Sequence, residues 1–318
     1  MKATLAIRHA LRPWVENASH RILIGVSGGA DSMALAIGTL AESKSAGVEV
    51  IAIIIDHQLQ EGSAEVASKA RWQLMECGFS TVEIVPVDVE VTDGMESSAR
   101  RARYAAFDVA IARYQPDYFF LAHTKNDQAE SVLLGLARGS GTRSLSGIAE
   151  VNGKFIRPLL TIDRATTEAA CQENSIIPWD DPHNSQLAYA RVRVRKEILP
   201  LMERDLGPGI VDALARSAGI LREDADALDL LAEEFIKGQN PRDLPISLLE
   251  GLPKAVRIRV LRQAIYETGA PLGALGADHL APVEALITNW HGQGEISLPG
   301  GVKVLRISGR LSLSQQIS

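Results

Sequence analysis

The chain has 318 residues, 46% of them hydrophobic, and its 33 Lys and Arg against 39 Asp and Glu give a net charge of −6. A mean hydropathy of +0.03, with no uncharged apolar run near the ~18–20 residues that span a bilayer, predicts a soluble protein without a membrane span. Charge at Arg8 and Arg12 interrupts the start before an apolar h-region of about 7–15 residues forms, so export is not expected, and Cys77 and Cys171 sit in no CxxC and support neither a disulfide framework nor a zinc site.

This length predicts about two domains. In the first, apolar runs at 21–26, 48–56, 81–89 and 118–122 alternate with stretches of helical pattern. The runs are continuous, as in strands buried on both faces, and the roughly 20 residues between them suit helical crossovers. The expected fold class is α/β, a doubly wound parallel sheet over residues 1–210. Ligands of such sheets gather at the carboxyl ends of strands, which are here Ser27–Ser32, Asp56-His57 and His123 onward. A boundary is expected near Gly207-Pro208-Gly209. Residues 211–318 then read as a smaller α+β domain. Its helices are Ala213 to Ile236, with an acidic face from Glu223 to Glu234, then Lys254 to Thr268 and Asp278 to Trp290. A β-meander follows, Gly294 to Leu298, Val302 to Ile307 and Arg310 to Leu313, with glycine-containing turns.

The strongest chemical signal is Ser27-Gly28-Gly29-Ala30-Asp31-Ser32, placed after the first strand and opening a helix. Glycines allow backbone N–H groups to turn onto an anion, serines add hydroxyls, and the helix N-terminus adds a favourable dipole. The loop lacks the Lys of G-x-x-x-x-G-K-[ST] and the spacing of G-x-G-x-x-G. A carboxylate beside a phosphate site is repulsive unless a cation lies between them, which makes Asp31 a candidate Mg²⁺ ligand.

Ser-Gly-Gly-x-Asp-Ser after the first strand resembles the signature of the N-type ATP pyrophosphatases, the PP-loop or adenine nucleotide alpha-hydrolase-like enzymes. Further motifs resemble the branch formed by the tRNA(Ile)-lysidine synthases. These are Asp56-His57, Glu96 to Tyr104, Ala122 to Ser131, Arg138-Gly139-Ser140-Gly141, Arg157-Pro158-Leu159-Leu160, Asp180 to Asn184 and Arg191 to Pro200, spanning most of residues 20–205. The resemblance implies an ATP-dependent ligase that adenylates the C2 oxygen of the anticodon wobble cytidine in tRNA(Ile) with a CAU anticodon. The ε-amine of free L-lysine then attacks C2 and AMP leaves. It implies ATP held by Ser27, Gly28, Gly29, Ala30, Asp31 and Ser32, with Asp56, His57 and His123 also at the nucleotide. A cytoplasmic location is expected, and the oligomeric state is left open, with a homodimer as one option.

A lysine ε-amine is protonated at neutral pH, so its site needs carboxylates and its attack a proton acceptor. Asp127 and Glu130, i and i+3 at a predicted helix start, share a face and are the candidates. The planar fork of Arg103 suits a carboxylate or a phosphate. Helix acids complementing the macrodipole and a solvated arginine are the plain alternatives. Asn126 stands where the family usually has a first Asp, His183 where it has Ser or Thr, and Gln60 where Arg is common; the first acidic role is not carried onto Asn126.

Local charge differs from the total. Arg191, Arg193, Arg195, Lys196 and Arg204 outnumber Glu197 and Glu203, and seven Lys and Arg between Lys254 and Arg310 outnumber four acids. Phosphate contacts supply most sequence-independent RNA affinity, so Arg191, Arg193, Arg195 and Lys196 are candidate tRNA contacts. Were that segment extended, its three arginines would share one side. A tRNA thiolase using the same loop is a rival reading, although neither cysteine sits in the expected pair. A non-catalytic adenine-nucleotide module is another, which would not require acids at the strand ends.

Overall fold

A computed structural model of the chain describes residues 1–58, 62–90, 94–139, 141–181 and 186–316. Gln60, Ser140 and the Pro182-His183-Asn184 part of the acidic motif lie outside the described residues.

Two compact units divide the chain, Met1–Ile220 and Leu221–Ser318. The first contains, in order, α1 (Lys2–Glu16), β1 (Arg21–Val26), α2 (Ala30–Ala46), β2 (Glu49–Asp56), α3 (Ser63–Glu76), β3 (Thr81–Pro86), α4 (Met95–Tyr114), β4 (Tyr118–Phe120), α5 (Lys125–Ala137), α6 (Thr142–Leu145), β5 (Val151–Asn152), β6 (Phe155–Ile156) and α7 (Arg164–Glu173). Then come α8 (Ala190–Arg193), a π-helical turn at Val194–Ile198, α9 (Leu199–Asp205) and the start of α10 (Ile210–Ile236). The division between the units falls inside α10, beyond Gly207-Pro208-Gly209, which lies between α9 and α10.

The sheet order is β3-β2-β1-β4-β6-β5, parallel except for the short β5–β6 hairpin. The continuous apolar runs become fully buried strands: Ile22, Leu23 and Ile24 of β1 pair with Tyr118, Phe119 and Phe120 of β4 on one side and with Val50, Ile51 and Ala52 of β2 on the other. Strand order reverses at β1, so a crevice opens between the carboxyl ends of β1 and β4. The elements not anticipated include α1, α6, α7, α9 and the short strands β5 and β6, with α11 (Ile246–Glu250) and the short strand β7 (Asp243–Pro245) in the second unit. Ile7, Leu11 and Val15 bury one stripe of α1, against α2 at Gly38, where a Cβ would lie 2.6 Å from Ile7 Cγ2.

The second unit holds the rest of α10, β7 (Asp243–Pro245), α11 (Ile246–Glu250), α12 (Lys254–Thr268), α13 (Ala277–Thr288), β8 (Ile296–Leu298), β9 (Val302–Ile307) and β10 (Arg310–Gln315). Its antiparallel sheet, β7-β10-β9-β8, extends the expected meander by one strand. Val302, Val304, Leu311 and Leu313 pack with Val260, Leu261, Val283 and Leu286 in a separate core. No helix among the described residues is long and apolar enough to cross a membrane.

Candidate active site

The loop after β1 turns at Gly28, whose φ of +87° favours glycine; its carbonyl accepts the Trp179 N–H at 2.9 Å. Gly29 is the extended N-cap of α2. Ser32 folds its hydroxyl back, accepting from the Ser27 N–H at 3.1 Å and donating to the Gly29 carbonyl at 2.9 Å. This holds the loop closed, with the first N–H groups of α2 left for an acceptor outside the helix.

Across the crevice, Thr124 caps α5 and Asp127 completes a capping box: its Oδ2 accepts the Thr124 N–H at 2.8 Å and hydroxyl at 2.9 Å. The cap leaves Oδ1 facing the crevice. Glu130, one turn later, is 0% exposed, a placement a carboxylate keeps only with cationic partners. Those partners are arginines. Arg191 Nε lies 3.0 Å from Oε2, and Arg195 reaches Oε1 at 2.6 Å and Oε2 at 3.0 Å.

A third arginine, Arg164, ties the site together. Its Nε lies 3.1 Å from Asp31 Oδ2, its Nη2 3.2 Å from Asp127 Oδ1 and its Nη1 3.5 Å from Glu130 Oε1. Asn126 Oδ1 accepts the Arg164 backbone N–H at 2.9 Å, so the residue departing from the family pattern anchors the start of α7. Thr167, one turn on, donates its hydroxyl to Asp31 Oδ1. Three of the candidate acids thus meet on one cation that sequence reasoning did not single out. Its signal was local: a positive charge at the first position of a helix opposes the macrodipole, and such contradictions concentrate at functional sites.

These charges shift one another. Burial pushes the Asp31 carboxyl up, and Arg164 and Thr167 only partly offset this. Burial also pushes Asp127 up, but Arg164 and the Thr124 N–H outweigh it and leave the group below its ordinary value. Burial lowers His123 to about 4, with Arg157, Arg191 and Arg100 also opposing its protonation and only Asp127 favouring it. His57, lowered by burial and then by Arg103, also lies at about 4. Arg103 Nε donates to His57 Nε2 at 3.3 Å, which puts the ring proton on Nδ1, a buried atom without a partner among the described residues. Asp56 Oδ1 accepts the Gln58 N–H. Arg103 therefore stands with His57 at the end of β2, and no bond among those described joins it to Asp127 or Glu130.

Arg191 to Lys196 is helical, passing through the π turn, so the condition for three arginines on one side is not met. Arg191 and Arg195, four apart, face Glu130; Arg193 points away and donates to the Leu187 and Ala188 carbonyls. Lys196 is exposed. In the second unit the basic residues are largely engaged internally: Arg257 and Lys254 with Glu284, Arg259 with Asp229, Lys303 with Glu295 and Arg310 with Asp243.

Among the described residues no three acidic, His or Cys side chains form a metal cage. Mg²⁺ is usually held by one or two carboxylates plus substrate phosphates. A single Asp31 beside a phosphate loop fits an ion that arrives with the nucleotide.

Strand order, glycine turn and the acid opening α2 define a PP-loop domain, and the PP-loop domain family matches residues 2–202. The TilS substrate binding domain family matches residues 244–312. The chain belongs to the tRNA(Ile)-lysidine synthase family. It is 49% identical over 299 residues to the tRNA(Ile)-lysidine synthase of Streptomyces coelicolor, covering 92% of this chain and 85% of that one. It is 45% identical over 311 residues to that of Thermobifida fusca, covering 97% and 95%. Among solved structures, the U34-tRNA thiolase NcsA from Methanococcus maripaludis with its 4Fe-4S cluster aligns with a TM-score of 0.60, 20% identity, and coverage of 70% of this chain and 78% of that one. At that identity the likeness concerns the fold alone.

Proposed function

We propose that this chain is an ATP-dependent ligase that joins free L-lysine to C2 of the wobble cytidine in tRNA(Ile) with a CAU anticodon, releasing AMP and pyrophosphate. The observation that carries this reading is the convergence of Asp31, Asp127 and Glu130 on Arg164 at the crevice where strand order reverses. It puts a phosphate loop and carboxylates suited to an ammonium within one residue's reach.

In the first step the cytidine C2 oxygen attacks the α-phosphorus and pyrophosphate leaves; the loop N–H groups and the α2 dipole offset the charge on the phosphates. Mg²⁺, held at Asp31 with the nucleotide, would supply further neutralisation of the phosphate charge. In the second step the lysine nitrogen forms the bond to C2, the bond to the AMP oxygen breaks, and the nitrogen gives up its protons. Of the two acids, Asp127 is the better placed for the amine: its Oδ1 faces the crevice with Arg164 at 3.2 Å and Arg195 only at 3.6 Å, whereas both oxygens of Glu130 are held at 3.0 Å or less by Arg191 and Arg195. Glu130 then acts by holding those two guanidiniums at the wall of the site, where they suit an anionic leaving group. The partner-free Nδ1–H of His57 suits an acceptor on adenine. Arg193 and Lys196, on the outward side of the same segment, remain the candidates for the tRNA backbone. A cytoplasmic location fits tRNA and ATP as substrates.

The test is transfer of labelled lysine. The enzyme should release AMP only when lysine and CAU-anticodon tRNA(Ile) are both present, with label entering the tRNA; incorporation of sulfur or ammonia in place of lysine would reject the reading.

A further inference from the structure

Arg157 carries a buried positive charge that no carboxylate compensates among the described residues. It directly follows β6 and is 4% exposed. Its Nη1 donates to the Ala149 carbonyl at 2.8 Å, its Nη2 reaches the Tyr104 hydroxyl only at 3.4 Å, and its Nε is buried with no partner. A lone buried cation is costly to retain unless an anion joins it. Further donors lie around it, of which Arg100 is exposed and His123 partly buried. Arg100 Nη2 also lies 3.4 Å from the Tyr104 hydroxyl, with its guanidinium carbon 4.9 Å from the ring centroid. His123, at the end of β4 beside β6, has a buried Nδ1 without a partner and lies within electrostatic reach of Arg157 and Arg100. Two guanidiniums, a phenol and an imidazole thus gather at the carboxyl ends of β4 and β6. That is two strands from β1 and, at ~4.8 Å per strand, about 10 Å from the phosphate loop.

We propose that Arg157, Arg100 and Tyr104, with His123 at the edge, form an oxyanion subsite separate from the phosphate loop. It takes one compact oxyanion of the enzyme's own substrates, either the carboxylate of the free amino acid or a phosphate of the target nucleotide. The proposal rests on the lysine-ligating reading above; if the native enzyme transfers no lysine to tRNA, that reading fails before the subsite is at issue.

The experiment compares the native enzyme with Arg157→Gln, Arg157→Lys and the less buried Arg100→Gln, measuring KM separately for lysine and tRNA, the preference for lysine over lysinamide, and thermal midpoints. Loss of a charge-assisted bond corresponds to roughly 10- to 100-fold. A carboxylate occupant raises the lysine KM of Arg157→Gln by about that factor, erases the preference over lysinamide and leaves the tRNA KM alone. A phosphate occupant raises the tRNA KM instead, lowers its salt dependence by about one ion and preserves that preference. Either result supports the subsite, with partial recovery in Arg157→Lys and a smaller shift in the same KM for Arg100→Gln. If Arg157→Gln does not fold, Arg100→Gln and Arg157→Lys decide by the same KM comparison. Unchanged KM values and unchanged lysinamide preference, with only kcat or the thermal midpoint lowered, would mark Arg157 as a strut for the β5–β6 hairpin and overturn the proposal.

Discussion

Replacing Arg164 by Met removes the one cation shared by Asp31, Asp127 and Glu130. Each contact, at 3.1 to 3.5 Å, is worth about 5 kcal/mol at an effective dielectric near 20, but desolvation of the guanidinium offsets most of the sum. Removing one member of a buried ion pair typically destabilises by about 3–5 kcal/mol. For a unit of this length each kcal/mol moves the thermal midpoint by about 2–4 °C, so the midpoint should fall by about 10 °C at pH 7.5. The sign of the pH dependence follows from the carboxylates. Asp127 is held low by Arg164 after burial is offset. Without that cation the cluster takes up protons more readily, so the gap between native and variant should narrow as pH falls from 7.5 toward 5. Calorimetry at the two pH values measures both effects. A drop under about 2 °C, or a gap equal at both, would show that Arg191 and Arg195 already neutralise the site and that Arg164 is incidental.

Asp31→Asn should abolish adenylation at ordinary Mg²⁺ while tRNA binding stays within a few-fold; full activity would remove Asp31 from the site. His123 titrates at about 4 in the folded protein against about 6.5 unfolded, so between those values the unfolded state binds the extra proton and stability falls as pH drops, by up to about 3 kcal/mol. Urea unfolding of His123→Gln across pH 4.5 to 7 should show a shallower slope than the native protein, and equal slopes would reject the assignment. Gly28→Ala should lower stability by about 1–2 kcal/mol because of its left-handed φ. Gly29→Ala, with φ −73° and no atom within 3.6 Å of the added Cβ, should not; equal midpoints for the two would contradict the loop geometry.

The parallel sheet was legible because strands buried on both faces leave continuous apolar runs, and β1, β2, β3 and β4 all start within a residue of where those runs begin. The phosphate loop and the i, i+3 acids were legible because their chemistry is local. What escaped were partners brought from afar. Glu130 meets arginines 61 and 65 residues away, and Arg164 lies 133 residues from Asp31, separations for which a single sequence carries no period. Alternation in Arg191-Val192-Arg193-Val194-Arg195 imitates a strand, yet both valines are buried because this helix is covered over a broad arc. The strands β5, β6 and β7 have only two or three residues each, too few to show any pattern. Pairing of the basic residues in the second unit was equally hidden, since their acids lie on other elements.

Helix α7 joins the crevice to the beginning of the chain. Its first residue is Arg164, and its last, Glu173, accepts the Ala3 and Thr4 backbone N–H groups and the Thr4 hydroxyl, securing α1. The ten residues of α7 span about 15 Å as one stiff rod. Anything that pries up the first turn of α1, such as a bulky fusion at that end or loss of Thr4, therefore pulls on the same rod that sets Arg164 among its three carboxylates. An engineer choosing where to attach a tag or surface tether thus has a mechanical reason to leave the front of this protein untouched.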